Sequence, residues 1–347
     1  MALTIFTRSS LSSLSLSWKL NSSKILTHGT QTLLLKRDTN FSRRSLGFCR
    51  ANASPDSTRM LRSVCFYSTY EESRAKFQRK ESGLDWPILK RWDVPWKWQT
   101  FALTSLACGL SFVLTGIIET KAIPYLGLEF GELSLDEKAE IIFVRQAIGT
   151  AVVLGVVYTV TNMFRPLPGD LFRYGLRDPF SLQKGWLLWA AIGLVGALLA
   201  VGLTGVSLYF FSGDKPRREN DALVLLLPLI GSSSLCTACL LGITGVLAPL
   251  LEETFFRGFF MVSLTTWLPT PVSVLISGAV FAGAHRTPEL FPLQFVLGSA
   301  LGFSYAQTRN LLTPITIHAV WNSGVILFLT FLKLQGCDIN KLVQTSR

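Results

Sequence analysis

Residues 222–251 read ALVLLLPLIGSSSLCTACLLGITGVLAPLL, a run of 30 residues without a charged side chain. About 20 apolar residues are enough to cross the hydrocarbon core of a bilayer, so this run is too long for one straight span. Pro228 and the Gly-Ser-Ser-Ser stretch at 231–234 interrupt it, and such residues are typical of a break between helices. The run therefore predicts membrane-embedded helices with an interruption near Pro228.

Further apolar runs lie on both sides of this one. They cover residues 101–118, 141–164, 186–211, 255–268, 272–284, 291–307 and 311–332. Arg145 is a charge inside the second of them. No strand-like alternation or internal repeat accompanies the runs, so we predict an all-α, polytopic membrane bundle of about eight transmembrane helices over residues 98–335. Gly298 and Gly302 form a Gly-x-x-x-Gly pattern that favours close contact between two of the helices.

The composition supports a membrane protein. Hydrophobic residues make up 49% of the chain, charged residues 16%, and the mean hydropathy is +0.39, whereas soluble chains carry about a quarter charged residues. The net charge of +11 first suggests a nucleic-acid partner, but residues 1–62 hold ten Lys and Arg against two acids and account for most of it. We therefore expect no nucleic-acid partner. The expected partners are the lipid bilayer and a membrane-associated protein or peptide substrate.

The N-terminal region has the composition of an organelle address. Residues 1–37 contain no Asp or Glu, and residues 1–62 contain 12 Ser and 7 Thr, which is typical of a transit peptide. Arg8 stands alone until Lys19, and this favours a chloroplast over a mitochondrial address. We predict a disordered chloroplast transit peptide over residues 1–62, with a disordered cytosolic tail as the alternative.

The charges outside the apolar runs predict an orientation. Residues 63–97 form a charged juxtamembrane segment whose Trp cluster (Trp86, Trp92, Trp96 and, just after it, Trp98) suits a membrane interface. Residues 119–140 carry six acids against two Lys, and residues 165–185 carry four basic residues against two acids. By the positive-inside rule, an even number of spans would place both termini, including the polar tail 336–347, on the stromal side of a thylakoid or inner envelope membrane.

Ionisable residues cluster in the second half of the bundle. Charged groups at membrane depth are costly and are therefore candidates for function. Glu253 and Arg257 are spaced i,i+4 and can pair on one helical face, whereas Glu252 points about 100° away without an obvious cation. A carboxylate removed from water and left without a cation suits a general base that acts on water. A buried ion pair that only stabilises packing is the alternative.

Two histidines and an asparagine complete the candidate set. His285 ends an apolar run, and His318 and Asn322 are spaced i,i+4 on another. Since a bundle readily brings such groups into one site, a shared site with Glu252 is expected. Glu252, His285 and His318 could also ligate zinc, although the chain lacks the H-E-x-x-H pattern of ordinary zinc proteases.

Three motifs follow one another along the chain. They are E-E-x-x-x-R (Glu252, Glu253, Arg257), F-x-x-x-H (Phe281, His285) and H-x-x-x-N (His318, Asn322). Their order resembles that of the CPBP family, also called ABI. This family contains the type II CAAX prenyl proteases and the bacteriocin self-immunity proteins, and the likeness covers residues 242–332. No position of the three motifs departs from the family pattern.

The resemblance implies an eight-helix intramembrane endopeptidase. Glu252 and His285 would hold and activate the water, His318 and Asn322 would stabilise the oxyanion, and Glu253 and Arg257 would support them. Both a zinc-dependent and a metal-free glutamate mechanism stay open, and a membrane scaffold or chaperone that stabilises a partner is the alternative function. At 1.5 Å per residue, His285 lies about 21 Å along its helix from Pro271 and His318 about 10 Å from Leu311. Helix tilt or a short span must therefore bring the two histidines to the same depth in the membrane.

Overall fold

The computed structural model of the protein describes residues 87–125, 133–212 and 226–337. Within these residues the chain forms seven helices longer than one turn and no strand. They are α1 (Trp98–Tyr125), α2 (Leu135–Asn162), α3 (Trp186–Ser212), α4 (Ser234–Leu264), α5 (Thr270–Ala284), α6 (Phe291–Thr308) and α7 (Leu312–Leu334). Two short 3-10 helices, Pro87–Leu89 and Pro288–Leu290, precede α1 and α6.

The all-α membrane bundle is confirmed. Five helices, α1, α2, α3, α4 and α7, are long and apolar enough to cross a membrane, and α5 is a shorter apolar helix of 15 residues. The interruption near Pro228 is also present, because a series of turns precedes α4 and Ser233 caps it by accepting a hydrogen bond from the Cys236 N–H. Helix α2 begins with a capping box between Ser134 and Glu137, which satisfies backbone N–H groups at that end.

The two carboxylates between the apolar runs 222–251 and 255–268 do not interrupt the helix. Helix α4 continues through Glu252 and Glu253 to Leu264, a length of 31 residues. The described residues contain seven helices longer than one turn, and about eight were expected over residues 98–335. No proline or glycine lies between Leu251 and Phe255, so nothing in the backbone chemistry ends the helix at the two carboxylates.

The end of α7 lies beside the start of α2. Lys333 donates a hydrogen bond to the carbonyl oxygen of Ile230 at 2.6 Å. Ser233, three residues further on, hydrogen-bonds the carboxylate of Asp136 in the first turn of α2 at 2.5 Å. We call this the Asp136 end of the bundle.

The segment before α1 lies at the other end. The carbonyl oxygen of Lys90 accepts hydrogen bonds from Thr270, at the start of α5, and from Arg309, just before α7, at 3.1 and 2.5 Å. Since α4 runs about 46 Å from Ser234 to Leu264, this Lys90 end is opposite the Asp136 end. Lys90 and Lys333 therefore lie at opposite ends of the bundle, with an odd number of helices between them in the described residues, whereas the two termini lie outside those residues.

This odd number of helices predicts the side from which introduced thiols react. In right-side-out membranes, the exposed Cys337 and an Arg177→Cys variant in a Cys337→Ser chain should be labelled from opposite sides by an impermeant maleimide. Lys121→Cys, near the end of α1, is the matched control and should label from the same side as Cys337. Labelling of Cys337 and Arg177→Cys from one side would contradict the seven-helix topology.

The tryptophans of the Trp cluster do not all lie at an exposed membrane interface. Trp92 and Trp96 are buried, at 4% and 2% exposure, whereas Trp98 is 56% exposed. The Trp96 indole N–H donates to Ser263 at 2.8 Å, and the Trp92 backbone N–H donates to Thr265 at 3.3 Å. The segment before α1 is thus packed into the core against the end of α4, while Trp86 and the predicted transit peptide lie outside the described residues.

Two further sequence features have simple structural roles. Arg145 of α2 pairs with Glu119 of α1 at 3.3 Å, so the charge inside the second apolar run joins two helices. Gly298 of α6 lies directly against Gly278 of α5, where an added Cβ atom would come within 3.2 Å of the Gly278 Cα. The small face at Gly298 therefore lets α5 and α6 approach closely.

Candidate active site

Glu252 and Glu253 lie on a short α-helical segment of α4, Ala248–Glu253, between two π-helical segments, Gly242–Leu247 and Thr254–Met261. Turns of π-helix are uncommon and frequently occur at functional sites. They widen the helix and change which backbone carbonyls have a partner within it.

The first π-helical segment provides a docking point for Asn322. The Ala248 N–H donates to Ile243 O instead of to Thr244 O. The next residue, Pro249, has no N–H to offer, so the Thr244 carbonyl has no helical partner. Asn322 of α7 donates its side-chain N–H to this oxygen at 3.0 Å, and α7 is thereby joined to α4.

Glu253 lies between a guanidinium group and an imidazole ring. Its Oε1 accepts from Arg257 Nη1 at 2.9 Å and from His318 Nδ1 at 2.7 Å. Arg257 also donates to the carbonyl oxygen of Gly298 at 2.9 Å and lies 4.5 Å from the ring centre of Phe281. Glu253 and Arg257 are both 0% exposed. The predicted i,i+4 pair is thus formed, and it also orients His318 and joins α4 to α6.

The two histidines turn their Nε2 atoms toward Glu252. His285 Nδ1 lies 2.8 Å from the carbonyl oxygen of Phe281. Because a carbonyl only accepts, this nitrogen carries the proton, and Nε2 of the neutral ring is an acceptor. The Nε2 atoms of His285 and His318 lie 3.8 and 3.9 Å from Glu252 Oε2, beyond direct hydrogen-bond distance.

Both carboxylate oxygens of Glu252 are buried and have no hydrogen-bond partner among the described residues. A buried carboxylate without partners is costly, and separations above 3.5 Å between polar groups suit a bridging water molecule. A water at this position would contact Glu252 together with both imidazole rings. The site can therefore hold and deprotonate a water molecule.

The zinc alternative fits this geometry poorly. Zinc binds oxygen and nitrogen ligands at about 2.0–2.2 Å in a tetrahedron, which places neighbouring ligand atoms about 3.3–3.5 Å apart. The two separations from Glu252 Oε2, 3.8 and 3.9 Å, are longer. Over the ranges that the structure describes, no group of three or more His, Cys, Asp or Glu side chains is arranged to hold a metal ion. We therefore derive no chemical step through a metal.

A cavity of about 600 Å³ opens onto Glu252 and His285. Its wall is mainly apolar and comes from α1, α4 and α5, with contributions that include Phe112, Phe255 and Val280. The Glu252 carboxylate thus lies at the wall of an apolar cavity that suits an apolar segment or chain.

The structure brings five of the six candidate residues into direct or near contact: Glu252, Glu253, Arg257, His285 and His318. Asn322 instead contacts the helix backbone at Thr244. Sequence reasoning assigned no role to Phe281, whose ring lies 4.6 and 5.8 Å from the rings of His285 and His318. Its place in the F-x-x-x-H motif was the available signal, whereas nothing in the sequence pointed to the carbonyl of Thr244.

Comparison with known proteins matches the part of the chain that carries these residues. The family model described as type II CAAX prenyl endopeptidase Rce1-like matches residues 234–324, from the start of α4 into α7. The putative membrane peptidase YdiL of Bacillus subtilis is 26% identical over 174 residues, which cover 50% of this chain and 68% of the relative. The membrane-embedded CAAX protease MroQ of Staphylococcus aureus is 22% identical over 172 residues, covering 46% and 67%. No solved structure matches the chain.

The matched segment contains all six candidate residues, which lie on α4, at the end of α5 and on α7. Residues 234–324 therefore match the model of the Rce1-like CAAX protease family, in a chain with several candidate membrane spans that is similar to bacterial membrane peptidases.

Proposed function

We propose that the protein is an intramembrane endopeptidase that hydrolyses a peptide bond of a membrane-associated substrate in the plastid, with Glu252 as the general base. The observation that carries this proposal is the Glu252 carboxylate, which is 5% exposed and has no hydrogen-bond partner among the described residues. It faces two imidazole Nε2 atoms at the wall of an apolar cavity.

The first step is attack by water on the substrate carbonyl carbon. The water donates to Glu252 and to the acceptor Nε2 of His285, which together orient its oxygen toward the peptide bond. As the carbon–oxygen bond forms, Glu252 takes the proton and the carbonyl oxygen becomes an oxyanion. A positioned general base contributes about 10²–10⁴-fold in rate.

The second step is expulsion of the amine. Glu253 holds the ring of His318 beside the oxyanion by accepting from Nδ1 at 2.7 Å. Asn322 retains one amide N–H beyond the one given to Thr244. Preorganised donors of this kind stabilise the developing charge without reorganisation. The carbon–nitrogen bond then breaks, and Glu252 returns its proton to the leaving nitrogen.

The substrate class follows from the cavity. An apolar chamber next to the base suits a substrate anchored in the bilayer, such as a lipidated C-terminus or a transmembrane segment. The similarity to a protein named as a CAAX protease supports prenylated CAAX peptides as the first substrates to test.

The direct test is peptide cleavage by the purified full-length protein in detergent. Farnesylated and unmodified forms of one CAAX peptide are compared, together with a panel of membrane-segment peptides, and the products are identified by mass spectrometry. Site-specific cleavage that depends on Glu252 would support the proposal. The scaffold alternative would be favoured if wild type and Glu252→Gln rescued a null mutant equally and neither cleaved any peptide.

The plastid address is a separate part of the proposal. It rests on the acid-free, Ser- and Thr-rich start of the chain, which lies outside the described residues. Residues 1–62 fused to a fluorescent reporter should carry it into plastids. Accumulation of the reporter in mitochondria or cytosol would refute the address without affecting the proposed chemistry.

A further inference from the structure

A second cavity, of about 440 Å³, lies at the Lys90 end of the bundle, away from Glu252. Three parts of the chain form its wall: the segment before α1, the loop between α2 and α3, and the turn between α6 and α7. The wall includes Lys90, Asp170, Arg173, Lys184, Gln307 and Arg309.

This cavity is strongly cationic. Four basic side chains line it against one carboxylate, Asp170, and that carboxylate is paired with Arg309. Lys90, Arg173 and Lys184 are exposed and have no ion-pair partner in the described part of the chain. Three uncompensated positive charges therefore surround one concave surface.

Arg309 is a buried cavity residue whose side chain is held in place by several contacts. It is 6% exposed, adopts a left-handed backbone conformation with φ of 52°, and holds its guanidinium 4.1 Å from the ring centre of Trp92. Its Nη2 donates to the carbonyl oxygens of Lys90 and Arg91. Its Nε is buried and has no partner among the described residues. A rigid guanidinium with a spare donor, beside mobile ammonium and guanidinium groups, matches the oxygens of a phosphate group.

The position of the cavity relative to the candidate spans indicates that it lies at the membrane surface. Lys184 precedes the candidate span that begins at Trp186 by two residues, and Arg309 precedes the span that begins at Leu312 by three. The indole N–H groups of Trp186 and Trp189 donate to carbonyl oxygens of the adjacent loop, at Leu176 and Leu182. Tryptophan is enriched at headgroup depth, so the cavity lies where phosphate-bearing headgroups are found.

We propose that this cavity is a binding site for a phosphate oxyanion, with an anionic lipid headgroup or free phosphate as its two possible sources. The phosphate would contact Arg173, Lys184 and Lys90 at the rim, with Arg309 and the buried amide of Gln307 beneath. Such a site would hold the α2–α3 loop against α6 and α7 when it is occupied.

The test uses the full-length protein and the exposed rim residues, whose replacement leaves the core intact. Arg173→Gln/Lys184→Gln removes two of the cavity cations. Arg165→Gln/Arg177→Gln removes two exposed cations from the same loop outside the cavity and is the matched control. Binding is followed by native mass spectrometry and by the shift in thermal unfolding. The probes are phosphatidylcholine vesicles with and without phosphatidylglycerol, and inorganic phosphate alone.

Saturable binding of phosphatidylglycerol, weakened at least about tenfold in the cavity variant and unchanged in the control, would support the site with a lipid as the source. The same pattern with inorganic phosphate, and no further gain from the lipid, would support the site with a soluble source. The proposal is overturned if neither probe binds saturably, or if both double variants lose binding equally. The second outcome would indicate general surface charge.

Discussion

Replacing Glu252 by glutamine is expected to abolish peptide cleavage while leaving the protein folded. Glutamine keeps the size of the side chain and its hydrogen-bonding capacity but cannot take a proton from water. Because neither Glu252 oxygen has a hydrogen-bond partner among the described residues, the change breaks no contact that stabilises the fold. It also removes a buried negative charge, so thermal stability should stay the same or rise.

The rate should fall by about 10²–10⁴-fold, the contribution of a positioned general base. The measurement is cleavage per mole of detergent-purified protein, with the unfolding temperature recorded on the same samples. Glu289→Gln is the matched control, since it makes the same chemical change at an exposed position of the 3-10 helix that precedes α6. Near wild-type turnover of Glu252→Gln would show that another group activates the water.

Arg257→Ala should act mainly through stability. The guanidinium pairs with Glu253 and hydrogen-bonds Gly298 O, and all of this is buried. Removing one partner of a buried pair costs about 3–5 kcal/mol because the other charge is left without compensation. For a chain of this size the unfolding temperature should fall by roughly 6–20 °C, and protein abundance should fall with it. Activity would also decrease, since His318 depends on Glu253 for its orientation.

A double variant separates the charge from the packing. Glu253→Gln/Arg257→Met removes both charges at once, fills the same volume, and keeps an amide oxygen to accept from His318. It should therefore be more stable than Arg257→Ala, since replacing a whole buried pair is often close to neutral. Arg177→Ala, at an exposed position, should change stability by no more than about 0.5 kcal/mol. Equal stability of Arg257→Ala and Arg177→Ala would contradict the buried-pair argument.

Most helix boundaries could be predicted because the signals are local. The predicted runs 186–211, 272–284, 291–307 and 311–332 differ from the observed helices by no more than two residues at either end. Prolines near the starts of α5 and α6, and the turn residues between helices, mark those limits in the sequence itself. Two carboxylates at 252 and 253 lower the local hydropathy without ending the helix, so hydropathy alone does not give the full length of α4.

The candidate site was predictable in its members and only partly in its contacts. The Glu253–Arg257 pair follows from the i,i+4 spacing on one helix and is present at 2.9 Å. The meeting of His285 with Glu252 required α5 to be short and closely packed against α6 at Gly278 and Gly298. The burial of Trp92 and Trp96 could not be predicted, because hydropathy treats a tryptophan beneath a helix end and one at a lipid interface alike.

The sequence by itself determined the membrane-embedded helical class, the positions of most helices, the six candidate residues and the ion pair within α4. Only the tertiary structure decided that an odd number of helices places Lys90 and Lys333 at opposite ends, that Asn322 contacts a π-helical carbonyl, and that both imidazole rings face Glu252. The physical reason is that hydropathy and helical spacing report distances along one helix. Contacts between helices depend on their tilt, their closeness of approach and the way each side chain is held, and these are properties of the packed bundle.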